Sequence, residues 1–543
     1  MSEEQGQDHG SSSFRRTFKA RNVAVILRYS FEFMRSPTNP KAFWLTLGLA
    51  AAIPRILGAF FLPNAFGDAY VYIRDIGTLS LKLSARTFSI NDLYGFWLPL
   101  YQFICAVINV FVGNGFYVGK LVSAVFGVGV CLLVYGITLR LTANRTAALL
   151  AFVLITFNPL HIFYSASAMT DVPHAFFVLA SLYLCLKQRW VLGAALAALA
   201  GWTRMESWMF ILLIPAMQFI KERRISLLAI AILLLPPLTW LYISWRATGD
   251  PLACFQSRRQ YHDWLMSANP TLQHFSLPHV ISDSAMLLVS TDFAVMVGCF
   301  AAGWFVTKAV LQKPERGGDL NKQPYTKAEW LLAEHRAIVP GLILFFAFLS
   351  MIVVAYVTGT QPIIFPRYGL ILFTLGIPIL AWTVLALIKQ RPESRRRLLS
   401  LVFATCVLNA GVQAVALAGS LNQMSVQRAV ADYLRDHYQS ASNTRILCDE
   451  GTVIVMSGIP PEKFVSSSDA PNDREGFVAF LKEKNAEYLV VVIDQDSNMK
   501  RLFPDLEYGA SIGPFEPAMR SQSGFMYMDV RVYQVRYGAE ARP

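Results

Sequence analysis

Eleven apolar stretches of 13 to 24 residues dominate the chain, at 43–62, 117–139, 146–164, 174–186, 191–203, 207–220, 226–245, 284–307, 337–357, 369–388 and 398–419. About 20 mostly apolar residues in a helix cross the hydrocarbon core of a bilayer, where every backbone polar group must find an internal partner. The sequence therefore predicts an all-α polytopic membrane protein of about eleven spans. Composition agrees: 54% of the 543 residues are hydrophobic and 15% are charged, where soluble chains carry about 25% charged residues. Soluble, disordered and disulfide-stapled folds are excluded, and the seven cysteines are scattered with no CxxC pair.

The formal net charge of +12 could signal a nucleic-acid partner, but its distribution argues otherwise. Residues 420–543 hold 13 Lys and Arg against 17 Asp and Glu, so the whole basic excess belongs to the hydrophobic part. The run 97–112 (WLPLYQFICAVINVFV) is a twelfth candidate span whose status sets the side of every later loop. If it does not cross, segments 1–42, 140–145, 187–189, 221–224, 307–336 and 389–397 share one side and hold 25 Lys and Arg, against 8 in the opposite loops before residue 420. Basic loops stay cytoplasmic. We therefore expect 97–112 to be re-entrant or interfacial, the N-terminus to be cytoplasmic, and 420–543 to be extracytoplasmic, in a multi-pass cell (inner) membrane protein with no nucleic-acid partner. The polar, basic segment 1–42 has no cleavage site, so the first span reads as an uncleaved anchor.

Three regions follow: 1–42, a transmembrane domain over 43–419, and a small α/β domain over 420–543. The last reads as a helix (SVQRAVADYLRDHY), strand-like RILCDE and TVIVMSG, a helix (EGFVAFLKEKN), a buried strand (YLVVVID) and a closing strand (DVRVYQVRY). It has no Gly-rich phosphate loop, and contact or support suits it better than catalysis.

The expected topology gathers several polar residues on one outer face. Asp68 opens an amphipathic stretch (AYVYIRDIGTLSLKL) whose Tyr70, Ile73, Ile76 and Gly77 would lie against the lipid surface. Asp171 and His174 lie in SAMTDVPHAFF. Pro173 marks a helix start there, so Asp171 or Thr170 is a natural cap; Asp68 could likewise serve only as a cap. The pair 191–203 and 207–220 is too short to cross at about 21 Å for 14 residues, which leaves its tip TRMES deep. Arg204 and Glu206 there either line a water-filled site or pin the hairpin as an ion pair. Arg367 and Tyr368 follow Pro366 in a short outer loop. Arg367 either snorkels to lipid phosphate or holds a phosphate group bidentately. His161 and His174 read as hydrogen-bonded structural histidines more readily than as metal ligands, and no set of residues has metal-ligand spacing.

GDAYVY, NPLHIFYSASAMTDVPHAFF, ALAGWTRMES, TGDPLACF and FPRYGLILFTLGIPILA, in this order over roughly residues 43–390, resemble the GT-C superfamily of polyprenyl-phosphate-sugar glycosyltransferases. The nearest branch is the protein O-mannosyltransferase and lipid A aminoarabinose transferase type. The resemblance implies an essential acidic residue in the first outer loop, matched by Asp68, and another in the second, matched by Asp171. It implies a late arginine near the donor phosphate, matched by Arg367, with Arg204 and Glu206 at the charged hairpin tip. Asp68-Ala69 departs from the Asp-Glu found in many protein mannosyltransferases. The implied reaction passes a sugar from polyprenyl phosphate to an acceptor hydroxyl on a protein, lipid or glycan, with inversion, an aspartate as base and arginines on the leaving phosphate. Trp97, Tyr101 and the aromatics of 258–264 would supply sugar and prenyl contacts. No cofactor is implied beyond the donor lipid. The competing reading is a transporter or lipid flippase, because broken helices and intramembrane charge also suit a substrate pathway.

Overall fold

Asn39, whose side chain accepts from the Lys41 and Ala42 amides, starts the first helix of the computed structural model, α1 (Pro40–Phe61). The structure describes residues 39–65, 67–268, 276–311, 337–361, 363–421, 424–439, 443–493, 498–509, 511–522 and 529–537. The expectations for 1–38 and for the loop 312–336 lie outside them.

After α1 come α2 (Gly67–Ser84), α3 (Leu100–Val112), α4 (Gly115–Thr142), α5 (Arg145–Thr156), α6 (Pro159–Ser165), α7 (Asp171–Leu186), α8 (Trp190–Thr203), α9 (Phe210–Glu222), α10 (Leu227–Thr248) and α11 (Ala253–Ala268). The membrane part continues with α12 (Leu277–Thr291), α13 (Phe293–Leu311), α14 (Val339–Val357), α15 (Pro366–Gln390) and α16 (Arg395–Ser420). Among the described residues six helices are long and apolar enough to cross a membrane, or up to eight if each of two bent pairs is one span. Length and composition therefore do not carry the expected count of eleven. The stretches at 174–186, 191–203 and 207–220 form helices of 16, 14 and 13 residues, and α3, in the segment expected to be re-entrant, has 13.

Both bends have local causes. The expected span 146–164 turns by 62° between α5 and α6. Pro159 removes a donor there, and the Asn158 side chain caps α6 by accepting from the His161 amide at 2.9 Å. Arg55 of α1, fully buried, donates to the carbonyls of Ile155 and Thr156 at 3.3 Å, groups the break leaves exposed. It also lies 2.7 Å from His161 Nδ1, so His161 has a structural partner. The expected single span 284–307 is two helices at 86°. Asp292, with φ 74°, ends α12 and accepts from the Ala294 amide at 2.9 Å, so one carboxylate inside an apolar run divides it.

Helix α2 corrects a second expectation. Tyr70, Ile73 and Ile76 are buried inside the protein instead of facing lipid, because α3 on one side and the C-terminal domain on the other cover this helix.

That domain comprises α17 (Ser425–His437), β1 (Arg445–Leu447), α18 (Gly451–Ser457), β2 (Phe464–Val465), α19 (Arg474–Glu483), β3 (Ala486–Val492), α20 (Asn498–Leu502), β4 (Phe515–Gln522) and β5 (Asp529–Val535). Its sheet order is β2-β1-β3-β5-β4, parallel on the β2-β1-β3 side and antiparallel on the other. TVIVMSG, expected as a strand for its β-branched residues, is helix α18. The Glu450 side chain caps it by accepting from the Thr452 amide, and Gly458 at φ 69° closes it, so end chemistry and packing override propensity. Helix α18 rests on the start of α2: a Cβ on Gly451 would lie 3.4 Å from Val71.

Candidate active site

Two of the three acidic residues singled out in the sequence begin helices. Asp68 is in the first turn of α2, and Asp171 is the first residue of α7, where Thr170 occupies the cap position without a side-chain cap bond. A carboxylate at a helix N-terminus is favoured by the helix dipole, and a cation there is not. Arg367 nevertheless lies in the first turn of α15, immediately after Pro366. It is held by Asp68, to whose Oδ2 it donates at 2.6 Å, with the guanidinium side chain 12% exposed. The first turn of α15 is pressed against the end of α12, since a Cβ on Gly369 would fall 2.0 Å from Ser290 Oγ. An arginine on a helix N-terminus, fixed by close backbone packing, is a ready receptor for an anion that can displace its carboxylate partner.

The second cluster is built on the α8–α9 hairpin. Arg204, in extended backbone between α8 and the turn at 205–209, donates to Asp171 Oδ1 at 2.8 Å and to Glu206 Oε1 at 2.8 Å. Asp171 is 5% exposed in its side chain and its Oδ2 has no hydrogen-bond partner among the described residues. His174 Nε2 lies 2.7 Å from Ser207 Oγ and ties α7 to the hairpin tip.

Both clusters meet at one cavity of about 380 Å³. Asp171, His174, Arg204, Glu206, Arg367 and Tyr368 line it, and Asp68 reaches its edge through Arg367. The opposing wall, from α14, is apolar, with Phe348, Met351, Ile352 and Ala355. The cavity therefore has a charged end and a greasy flank. Three carboxylates (Asp68, Asp171, Glu206) stand against three guanidiniums (Arg204, Arg367, Arg258), a charge-balanced set from separate segments in which Asp171 is nearly buried and Asp68 and Glu206 are partly exposed.

Two expected contact residues lie elsewhere. Tyr101 is 1% exposed and its hydroxyl donates to the Gly119 carbonyl at 2.8 Å, beside Ser123. Trp97 packs on Tyr72 with ring centroids 5.7 Å apart and forms a layer behind the cavity. Burial pushes the Tyr72 phenol upward, with neighbouring Asp68 adding to the shift, so it remains a neutral hydroxyl. Sequence reasoning missed Arg258, Tyr356 and Gln361, which also line the cavity. Arg258 donates to the Phe96 carbonyl at 3.0 Å and lies 5.2 Å over the Phe96 ring. Its motif, RRQYHDW, carried the signal, but basic and aromatic residues on an amphipathic helix also read as interface anchoring. Among the described residues no three His, Cys, Asp or Glu side chains gather as a metal site.

Residues 99–214 match the family model described as dolichyl-phosphate-mannose-protein mannosyltransferase. No curated protein matches the chain significantly in sequence. Among solved structures, ArnT from Cupriavidus metallidurans bound to undecaprenyl phosphate is similar at 12% identity, with a TM-score of 0.53, over 93% of this chain and 100% of that one. The apo state of the same protein gives 12% identity and a TM-score of 0.46 over 91% and 98%. Arabinofuranosyltransferase AftD from Mycobacteria gives 15% and 0.39 over 91% of this chain and 40% of that one. The ArnT-like fold and the mannosyltransferase match together support the GT-C superfamily assignment, and with it a multi-pass membrane glycosyltransferase.

Proposed function

We propose that this GT-C protein moves a sugar from a polyprenyl-phosphate donor to an acceptor hydroxyl, with inversion at the anomeric carbon, on the extracytoplasmic side. The observation that carries the reading is the convergence of the Asp68–Arg367 and Asp171–Arg204–Glu206 ion pairs on one cavity with an apolar flank. A charged sugar phosphate attached to a hydrocarbon chain needs both kinds of wall. The ArnT structure with undecaprenyl phosphate gives the same reading independent support.

In the reaction the bond from the anomeric carbon to the phosphate oxygen breaks as the bond to the acceptor oxygen forms. Arg367 turns from Asp68 to the phosphate and neutralises the charge that builds on the leaving group, a role suited to its helix N-terminus. Asp68, released from Arg367, takes the acceptor proton. Asp171 holds Arg204 toward the cavity as a second cation, and Glu206 and His174 fix the hairpin tip that carries it. Tyr368 borders the same space. One base suffices for a single displacement, unlike the carboxylate pair of glycoside hydrolases.

The test combines two measurements on the purified full chain: mass spectrometry of co-purified lipid, and transfer of label from polyprenyl-phosphate sugars in membranes. A retained prenyl phosphate together with labelled acceptor supports the reading. Translocation of the lipid without any glycosidic transfer would replace it with a flippase.

A further inference from the structure

Helix α8 runs about 21 Å from Arg204 to its other end, where a second cavity of about 470 Å³ opens between the loops joining α7 to α8 and α9 to α10. Arg189 and Arg224 line it, among polar residues that include Gln218 and beside Trp190 and the apolar side chains Leu192 and Ile225. Nothing in the proposed transfer chemistry uses this space.

Of its two arginines, Arg224 is paired and Arg189 is not. The guanidinium of Arg189, an exposed residue, has no hydrogen-bond or ion-pair partner among the described residues, and the residue sits at the cap position of α8, where no side chain caps the helix. The first amides of α8, on residues that line the cavity, therefore have no intrahelical acceptor. The nearest carboxylate, Glu222, accepts from Trp190 Nε1 at 2.6 Å and pairs with Arg224 at 2.8 Å. Lys187 and Arg223 flank the opening, over the Tyr183 and Phe219 rings. The rim is greasy: Leu192, Ile225, Leu227 and Leu228 are 51%, 48%, 80% and 60% exposed. Orientation by basic loops requires only dispersed cations. It requires neither a cavity nor a buried tryptophan that engages the single acid.

The geometry points to a binding site for the phosphate headgroup of an anionic phospholipid at this end of the hairpins. The two arginines and the α8 amides take the phosphate, and acyl chains lie along the exposed leucines and isoleucine. A free phosphate would use the cations and leave the apolar rim bare. A lipid seated here braces α8 and α9 at the end opposite the tip that carries Arg204.

The test uses the full chain in nanodiscs of phosphatidylcholine with phosphatidylglycerol, with native mass spectrometry of the phosphatidylglycerol retained on release. Arg189→Gln with Arg224→Gln weakens retention about thirty-fold, from roughly five-fold for each cation removed near the membrane surface. The charge-keeping pair Arg189→Lys with Arg224→Lys restores most of it, which separates binding from misfolding. Arg395→Gln with Arg396→Gln, exposed cations in the first turn of α16, leaves retention unchanged. Full retention by the glutamine pair at 189 and 224, or equal loss from the pair at 395 and 396, overturns the site. Displacement of the lipid by excess inorganic phosphate overturns the lipid assignment in favour of a soluble anion.

Discussion

Asp68 and Arg367 are 299 positions apart in sequence and 2.6 Å apart in the folded chain. The sequence exposed each of them, because a charge set against an apolar run is expensive unless it is paired or functional. It could not expose the pairing, which depends on how α2 and α15 pack. The same holds for Arg204, whose two carboxylates come from its own turn and from a residue 33 positions earlier. We predict that Arg204→Leu destabilises the full chain by about 3 kcal/mol, because it leaves a nearly buried Asp171 carboxylate without its cation. Thermal or denaturant unfolding in detergent checks this. Adding Asp171→Asn should recover part of the loss, since removing both charges avoids the uncompensated one. Tyr101 was misread for a related reason: an aromatic next to a polar loop looks the same in sequence whether its hydroxyl meets a ligand or, as here, a backbone carbonyl of the next helix.

At the scale of elements, hydropathy located the helices but not their breaks. The bends at 157–158 and 292 are marked by single residues, Pro159 and Asp292, that a hydropathy window averages away. The structure joins the two breaks through α16. Asn158 donates to Gln413 at 2.9 Å, Gln413 donates to the Val289 carbonyl at 2.7 Å, and Asn409 donates to the same carbonyl at 3.0 Å. These three side chains are buried in an otherwise apolar region. Gln413→Leu should lower stability by roughly 1–3 kcal/mol, the cost of leaving Asn158 and Val289 under-satisfied, while Val412→Ala on the exposed face of α16 changes it little. Unfolding midpoints of the two variants provide the comparison. The helix α18 misreading has the opposite cause: β-branched residues gave a strand signal, and the Glu450 cap with Gly458 overrode it.

The whole molecule couples a membrane bundle to an α/β domain that rests on the helix presenting Asp68. That domain carries a pH signature of its own. Burial works to raise the Asp529 carboxyl, but hydrogen bonds from Arg520 and Arg531 outweigh it and hold the group below its ordinary range. A carboxyl depressed in the folded state stabilises the fold above its unfolded pKa, and that contribution is lost as pH falls through the folded value. The domain should therefore lose stability as pH drops below about 4, and Asp529→Asn should flatten this acid limb while lowering stability at neutral pH. Circular dichroism melts of the full chain across that range test it.

The central claim is that Asp68 is the base and is held in reserve by Arg367. The most direct measurement compares Asp68→Asn with the native chain in two assays: binding of polyprenyl phosphate, and transfer from a polyprenyl-phosphate sugar. The asparagine no longer competes for Arg367 and cannot accept the proton. Binding should be retained or tightened, while transfer falls by about 100-fold or more. Transfer at the native rate by Asp68→Asn would contradict the account.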